Sequence, residues 1–280
     1  MQVLNKKKEL LSALDNFRKE GKSIGLVPTM GALHKGHLSL VEKSNKDNDI
    51  TIISIFVNPT QFNDKSDLKN YPRTLNNDVK FIKTSGFCDI IFAPSVEEIY
   101  PEPDNREFNL GYVSTVMEGA RRPGHFNGVA QIVSKLLYLV KPNKAYFGMK
   151  DFQQIAVIKS MVKLLSINVD IVSCPIVREI DGLALSSRNR LLTYEHRKNA
   201  PIIHQTLVDA AKKSSTLNVE DLKSFITNKI NENKYLQVEY VEIVEQESLK
   251  IILDLKEKNS KVICIAVQAG NIRLIDNMVI

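Results

Sequence analysis

The sequence predicts an α/β protein: a Rossmann-like doubly wound parallel sheet followed by a smaller C-terminal α+β domain. Three observations carry this. Through the first two-thirds of the chain, apolar β-branched runs alternate with helical periodicities, the pattern of strand-helix-strand units that build a parallel sheet covered on both faces. Near residue 177 the pattern changes to a turn-rich segment, two helical stretches and then strand-like runs joined by polar turns. At 280 residues the chain is long for one domain, and its 43% hydrophobic residues suffice for a large core. The expected division is 1–176 and 177–280.

Taken in order, residues 1–8 lead into an amphipathic helix and lack the apolar stretch of a signal peptide. Segments 24–27 and 50–57 read as buried strands, being short, β-branched and apolar without strict alternation, and 89–93, 145–147 and 169–172 read the same way. Val129, Ile132, Val133, Leu136, Leu137 and Val140 recur at three- and four-residue steps, placing one apolar stripe on a helix that stops before Pro142. Ile155, Ile158, Val162 and Leu165 repeat this after Asp151, a good N-cap type. Beyond the turn at 178–182, helices are expected at about 193–213 and 219–231, and strands at 236–244, 262–267 and 272–275.

Composition narrows the function classes. Cys88, Cys174 and Cys264 each lie in or beside an apolar run and lack zinc or C-x-x-C spacing, so buried free thiols are expected. The net charge of +6 is spread over the whole chain, which suits small anionic substrates at least as well as nucleic acid. No apolar run approaches the roughly 20 residues of a membrane span, and a soluble, cytoplasmic protein without a membrane partner is expected.

In a doubly wound sheet, ligands bind outside the carboxyl ends of the strands, and four polar clusters fall there. The first is Pro28-Thr-Met30-Gly31-Ala-Leu-His34-Lys-Gly36-His37, with His37 in the first turn of a helix. Its G-x-x-x-x-G spacing mimics a P-loop, but His37 and Leu38 stand where that loop needs Lys and Ser or Thr. What remains is H-x-G-H at a strand-to-helix junction: Gly36 lets a ring or phosphate approach, the helix N-terminus favours an anion, and two imidazoles can donate to phosphate oxygens. A surface helix start with incidental histidines, or a histidine pair on a metal, are the alternatives.

The second cluster places Asn58 and Gln61, neutral donor-acceptor groups suited to hydroxyls and a carboxylate, on what is otherwise an Asn-Pro turn. The third runs from Gly148 through Met149, Lys150 and Asp151 to Gln154, offering close backbone approach and a point charge for phosphate. The plain alternative is Asp151 as a helix cap beside a solvated Lys150. The fourth, Leu185-Ser186-Ser187-Arg188, has the hydroxyls and guanidinium of a phosphate clamp, or is a helix-capping serine turn.

Together these segments carry a resemblance. His34-Lys-Gly36-His37 resembles the HIGH signature of the nucleotidylyl transferase superfamily, and Leu185-Ser186-Ser187-Arg188 its KMSKS-type counterpart. More narrowly, Pro28-Thr-Met-Gly-Ala-Leu-His34-x-Gly-His37, Ser54-Ile-Phe-Val-Asn-Pro-x-Gln61-Phe, Tyr71-Pro-Arg-Thr74, Arg122-Pro-Gly-His-Phe126, Gly148-x-Lys-Asp-x-Gln-Gln154 and Leu183-Ala-x-Ser-Ser-Arg-Asn189 resemble the pantothenate synthetase family, in order and with its spacing. The family usually reads G-E-K-D and M-S-S-R, so Met149 and Leu185 are departures; Met149 removes a carboxylate, whereas Leu for Met is near-isosteric.

The resemblance implies an ATP-dependent ligase in which pantoate's carboxylate attacks the α-phosphate of ATP, and β-alanine's amine then attacks the pantoyl adenylate. It assigns His34, His37, Lys150 and Arg188 to catalysis, with His37 as the better proton donor. ATP would lie along Pro28, Met30, Gly31, His34, Gly36, His37, Gly148, Met149, Lys150, Asp151, Val177, Leu185, Ser186, Ser187 and Arg188. Gln61, Gln154 and Asn58 would hold pantoate, and Gln61 also β-alanine. Mg2+ would accompany ATP, with Asp78 the one carboxylate nominated for it, and the protein would be a homodimer. Another adenylyl or cytidylyl transferase, or an RNA-binding relative of the aminoacyl-tRNA synthetases, are the rival readings. No stacking aromatics set among Lys and Arg support the latter, and no G-x-G-x-x-G supports a dehydrogenase.

Overall fold

The computed structural model describes all 280 residues, which divide into two compact units: Met1–Met149 with Val157–Pro175, and Lys150–Ala156 with Ile176–Ile280. The first is built on a wholly parallel sheet of β1 (Gln2–Leu4), β2 (Ile24–Thr29), β3 (Ile50–Ile55), β4 (Ile90–Phe92), β5 (Lys144–Gly148) and β6 (Asp170–Cys174), in the order β1-β4-β3-β2-β5-β6. All six residues of β3 are buried, as a central parallel strand covered on both faces demands. Helix α1 (Lys7–Lys19) joins β1 to β2, and α2 (Lys35–Asp47) joins β2 to β3. Short α3 (Lys65–Asn70) and α4 (Leu75–Ser85) precede β4; one-turn α5 (Val96–Ile99) and α6 (Glu118–Arg121), then α7 (His125–Val140), precede β5; α8 (Phe152–Leu164) precedes β6.

The strand order places a topological switch point inside this unit. From β2 the chain moves outward through β3 and β4, then returns to lay β5 along the other side of β2, where Gly25 and Leu26 pair with Lys144 and Ala145. In doubly wound sheets a switch point of this kind, outside the carboxyl ends of the strands, is where ligands bind.

The second unit holds α9 (Tyr194–Asn199), α10 (Ile202–Lys213) and α11 (Val219–Asn231), followed by the antiparallel strands β7 (Gln237–Glu245), β8 (Lys261–Ala269) and β9 (Ile272–Val279). Leu207, Leu222, Ile226 and Ile230 of the helices join Ile243, Ile263 and Ile265 of the strands in one core. This is the α+β arrangement expected after residue 177.

Several local expectations change. Residues 2–4 form an edge strand before the first helix, recruited by parallel pairing of Gln2, Val3 and Leu4 with Ile90, Ile91 and Phe92. Helix α7 begins at His125, four residues before its apolar stripe, because Gly124 at φ 81° turns the chain into it. The stretch 193–213 is two helices, broken at Ala200 and Pro201; proline has no N–H to continue the first. On α8, Ile155 and Ile158 are buried, but Val157 and Met161 complete the buried stripe while Val162 and Leu165 are half-buried. The three cysteines are free and buried, and burial pushes the Cys88 thiol up to about 12.

Candidate active site

The loop between β2 and α2 is tied down at almost every residue. The Thr29 hydroxyl donates to the Ser54 carbonyl (2.7 Å) and accepts the Gly31 N–H (3.2 Å). Gly31 and Ala32 are both left-handed, at φ 84° and 49°. The N–H groups of Ala32 and Leu33 then donate to the two oxygens of Asp78, at 3.0 and 2.8 Å, and the Thr74 hydroxyl donates to the same carboxylate at 3.2 Å. Asp78, nominated above for a metal, thus serves as an anchor for this backbone, and it is 3% exposed.

The two histidines cap the helix that follows. His34 is the N-cap of α2 and accepts the Gly36 N–H at Nδ1 (3.2 Å), while His37, at the third helical position, accepts the His34 N–H at its own Nδ1 (3.3 Å). This is a capping box written in imidazoles. A nitrogen that accepts from an amide carries a lone pair, so both neutral rings hold their proton on Nε2. Their centroids are 4.0 Å apart, giving two neighbouring Nε2–H donors at a helix N-terminus, where the helix dipole favours an anion.

Asn58 and Gln61 sit on the turn after β3, with Pro59–Gln61 forming a 3-10 turn. Asn58 is 1% exposed, and its side chain donates to Gln61 Oε1 (3.1 Å) and the Gly128 carbonyl (3.0 Å) while accepting from the Tyr100 hydroxyl (2.8 Å). Gly128 makes this approach possible: a Cβ there would lie 2.3 Å from the Thr60 carbonyl oxygen. Gln61 Nε2 meets Met30 Sδ at 3.0 Å. His125, which carried no assigned role in the sequence, supports the turn from α7. Its Nδ1 lies 2.7 Å from the Gln61 carbonyl, which can only accept, and its Nε2 lies 3.2 Å from the Arg122 guanidinium, which can only donate. That fixes the opposite tautomer from His34 and His37. The sole signal for it was its place in Arg122-Pro-Gly-His.

In the second unit, residues 177–185 form a small hairpin: Leu185 N donates to the Val177 carbonyl (3.0 Å), and Arg178 bridges to Ala184. Val177 and Leu185, both expected near the nucleotide, are thereby brought together. Arg178 clamps the hairpin, donating to the Gly182 carbonyl (3.2 Å) and bidentately to Asp276 of β9 (2.6 and 2.9 Å). Ser186 caps the 3-10 turn Ser187–Leu191, accepting from Arg188 N, so the capping-serine reading is correct at the level of backbone. Ser187 is buried and Arg188 half-buried. Lys150 lies in the 3-10 turn Met149–Asp151, its Nζ 3.7 Å from Asp151 Oδ1, and its carbonyl accepts from Asn277 Nδ2 (3.1 Å). Asp276 and Asn277, adjacent on β9, thus anchor the hairpin and the Lys150 backbone respectively. Gln154 lies in the first turn of α8 and is half-buried.

Similarity to known proteins extends over nearly the whole chain. The family model described as pantoate-beta-alanine ligase matches residues 2–279. The pantothenate synthetase of Azobacteroides pseudotrichonymphae is 52% identical over 278 residues, 99% of each chain, and that of Bacteroides fragilis is 51% identical over 99% of this chain and 98% of its own. Among solved structures, the Thermus thermophilus enzyme superposes with a TM-score of 0.92 at 39% identity, covering 99% of both chains. The Francisella tularensis ligase, solved with beta-gamma ATP and β-alanine, gives 0.81 at 36% identity, covering 99% of this chain and 97% of its own. Switch-point sheet, histidine-capped helix and full-length similarity agree, and the chain belongs to the pantoate-beta-alanine ligase family.

Proposed function

We propose that this chain performs the family's ATP-dependent condensation of pantoate with β-alanine by aligning anions and neutralising their charge, with His34, His37, Lys150 and Arg188 as the groups that do so. The carboxylate nucleophile has no proton to lose, so adenylate formation needs no general base. The obstacle is electrostatic, because an anion must reach the α-phosphate of a polyanion.

The observation that carries this reading is the imidazole capping box. With both Nδ1 atoms accepting from backbone amides, the two Nε2–H groups are donors for phosphate oxygens without either ring being charged. As pyrophosphate departs, His37 is the proposed proton donor. Lys150 and Arg188 supply fixed positive charge. A Cβ at Gly148 would meet nothing within 4 Å, so its bare backbone leaves room for a nucleotide and is not a packing requirement. Pro28, Met30, Gly31, Gly36, Met149, Asp151, Val177, Leu185, Ser186 and Ser187 complete the proposed ATP contacts.

Gln61 and Gln154 are the proposed partners of pantoate, with Gln61 also meeting β-alanine. Asn58, fully occupied by internal bonds, acts on pantoate by holding Gln61. The proposed Mg2+ arrives with ATP, held by phosphate oxygens and water as is usual for this ion, since the Asp78 oxygens are engaged by the Ala32 and Leu33 amides. A cytoplasmic homodimer completes the proposal; no helix is long and apolar enough to cross a membrane.

Pantoate labelled with 18O in its carboxylate tests the reaction course. The carboxylate oxygen that bonds to the α-phosphorus stays there when the amine displaces AMP, so one labelled atom leaves in AMP. AMP release that does not require both pantoate and β-alanine, or unlabelled AMP, would overturn the reading.

A further inference from the structure

We infer that Asp78 is a positioning residue of the catalytic histidines, holding their loop in an otherwise disfavoured backbone shape. The inference rests on the ligase reading and goes beyond it, since it concerns a residue that touches no substrate. Gly31 and Ala32 stand one after the other at positive φ, and Ala32, wholly buried, carries the Cβ that makes this conformation unfavourable by itself. Successive amides turned to one side in such a segment form a small anion-binding concavity. Here that concavity is filled from within: Asp78, reaching out of the first turn of α4, takes the Ala32 and Leu33 amides on its two oxygens.

The consequence runs along the chain. Leu33 is buried directly before the N-cap, so the direction in which its amide is pulled fixes where His34 enters α2. His34 in turn supplies the N–H that holds the His37 ring. One carboxylate thus sets the orientation of two imidazoles through backbone alone. With both oxygens engaged by two amides and the Thr74 hydroxyl, Asp78 orients the groups that meet phosphate and leaves the metal to the nucleotide.

Asp78→Asn is the informative variant, because the amide keeps one acceptor but turns a donor toward an N–H. The measurements are kcat and KM at saturating substrates, pyrophosphate release in a single turnover, the Mg2+ activation curve, and thermal melting. We expect kcat and the single-turnover rate to fall at least tenfold, with KM for β-alanine and the half-activating Mg2+ concentration unchanged. Thr74→Val, which removes only the hydroxyl, should lower kcat severalfold in the same pattern and keeps the test decisive should Asp78→Asn fail to fold. A large rise in the half-activating Mg2+ concentration, with kcat restored at high Mg2+, would make Asp78 a metal ligand and overturn the inference. So would melting that drops while kcat and single-turnover rate stay normal. Failure of the ligase reading itself would be seen separately, in the unmodified chain.

Discussion

The histidine loop of the first unit and the 177–188 segment of the second fix irregular polar backbone by different means. In the first, the side chains proposed to act on phosphate are themselves the ties: His34 and His37 accept the amides that shape the helix start. In the second unit, the ties fall on the backbone of the proposed cations, with Asn277 holding the Lys150 carbonyl and Ser186 accepting from Arg188 N, while an ion pair between Arg178 and Asp276 clamps the 177–185 hairpin. A ring that caps a helix has its tautomer set, which suits a neutral donor that must present one particular proton. A cation needs only to be brought to the right place, and a scaffold that grips its backbone does this. Chemistry and stability should therefore be entangled at the histidines and separable at Lys150 and Arg188.

The sharpest break between the two comes from Lys150→Ala and Arg188→Ala. Each should lower turnover by at least roughly 100-fold, the effect of losing a principal electrostatic group in such a site. Melting temperature should stay that of the unmodified protein, and a rate near normal for either variant would remove it from the assigned role. Asp276→Ala attacks the scaffold of the same region. Asp276 is 4% exposed in its side chain and Arg178 18%, so removing the carboxylate leaves a guanidinium with poor access to water. Equilibrium urea denaturation should show a loss of about 3 kcal/mol, typical of breaking a buried pair from one side. A surface pair would cost less than about 1 kcal/mol, and that result would mean the hairpin is held otherwise.

At the histidines the comparison predicts entanglement. His34→Ala should lose both the cap and the phosphate donor, whereas His34→Asn keeps an acceptor for the Gly36 amide and loses only the donor. Both variants should be slow in single-turnover pyrophosphate release, but the Asn variant should be more stable by about 1 kcal/mol, the usual worth of an N-cap. Equal stabilities would show that the His34 cap contributes little.

This difference also marks how far the sequence could be read. Local patterns disclosed what local physics makes: the all-buried run of β3, the stripe of α7, the span 219–231 of α11, and a strand-to-helix junction carrying His37 in the first turn. What escaped was made by partners far along the chain. Gln2–Leu4 becomes a strand only because β4 offers an edge, and three residues carry no periodicity of their own. Asp78 is nominated for a metal by its residue type alone; its bonds to the Ala32 and Leu33 amides, made across the chain, follow from no local pattern. Arg178 and Asp276 lie 98 residues apart, and no spacing rule links them. Asn58 reads as a ligand because its type suits one; its burial and its four internal partners, Gln61, Thr60, Tyr100 and Gly128, depend on contacts that residue type does not disclose. The protonated nitrogens of His34, His37 and His125 likewise depend on who donates to whom, which residue order does not contain.

The smallest effect expected tests the hairpin clamp from its other side. His204 of α10 stands against Gly182 at the hairpin tip, where a Cβ on that glycine would come within 2.8 Å of its ring, and its Nδ1 is buried without a hydrogen-bond partner. Burial, and then the Arg178 charge, lower its pKa below the usual histidine value, with Asp276 opposing. Above the ordinary pKa of 6.5 the ring is neutral folded or unfolded, so its neutral form costs nothing there. As pH falls through 6.5 the unfolded chain takes up a proton that the folded chain resists, and stability declines until the lowered folded pKa is reached. The melting temperature should therefore drop as pH falls from about 7 through 6.5, and His204→Asn should flatten part of that drop while changing little at about pH 7.5. If the two proteins show parallel pH profiles, the proton is not excluded at His204, and the clamp is indifferent to the ring that covers it.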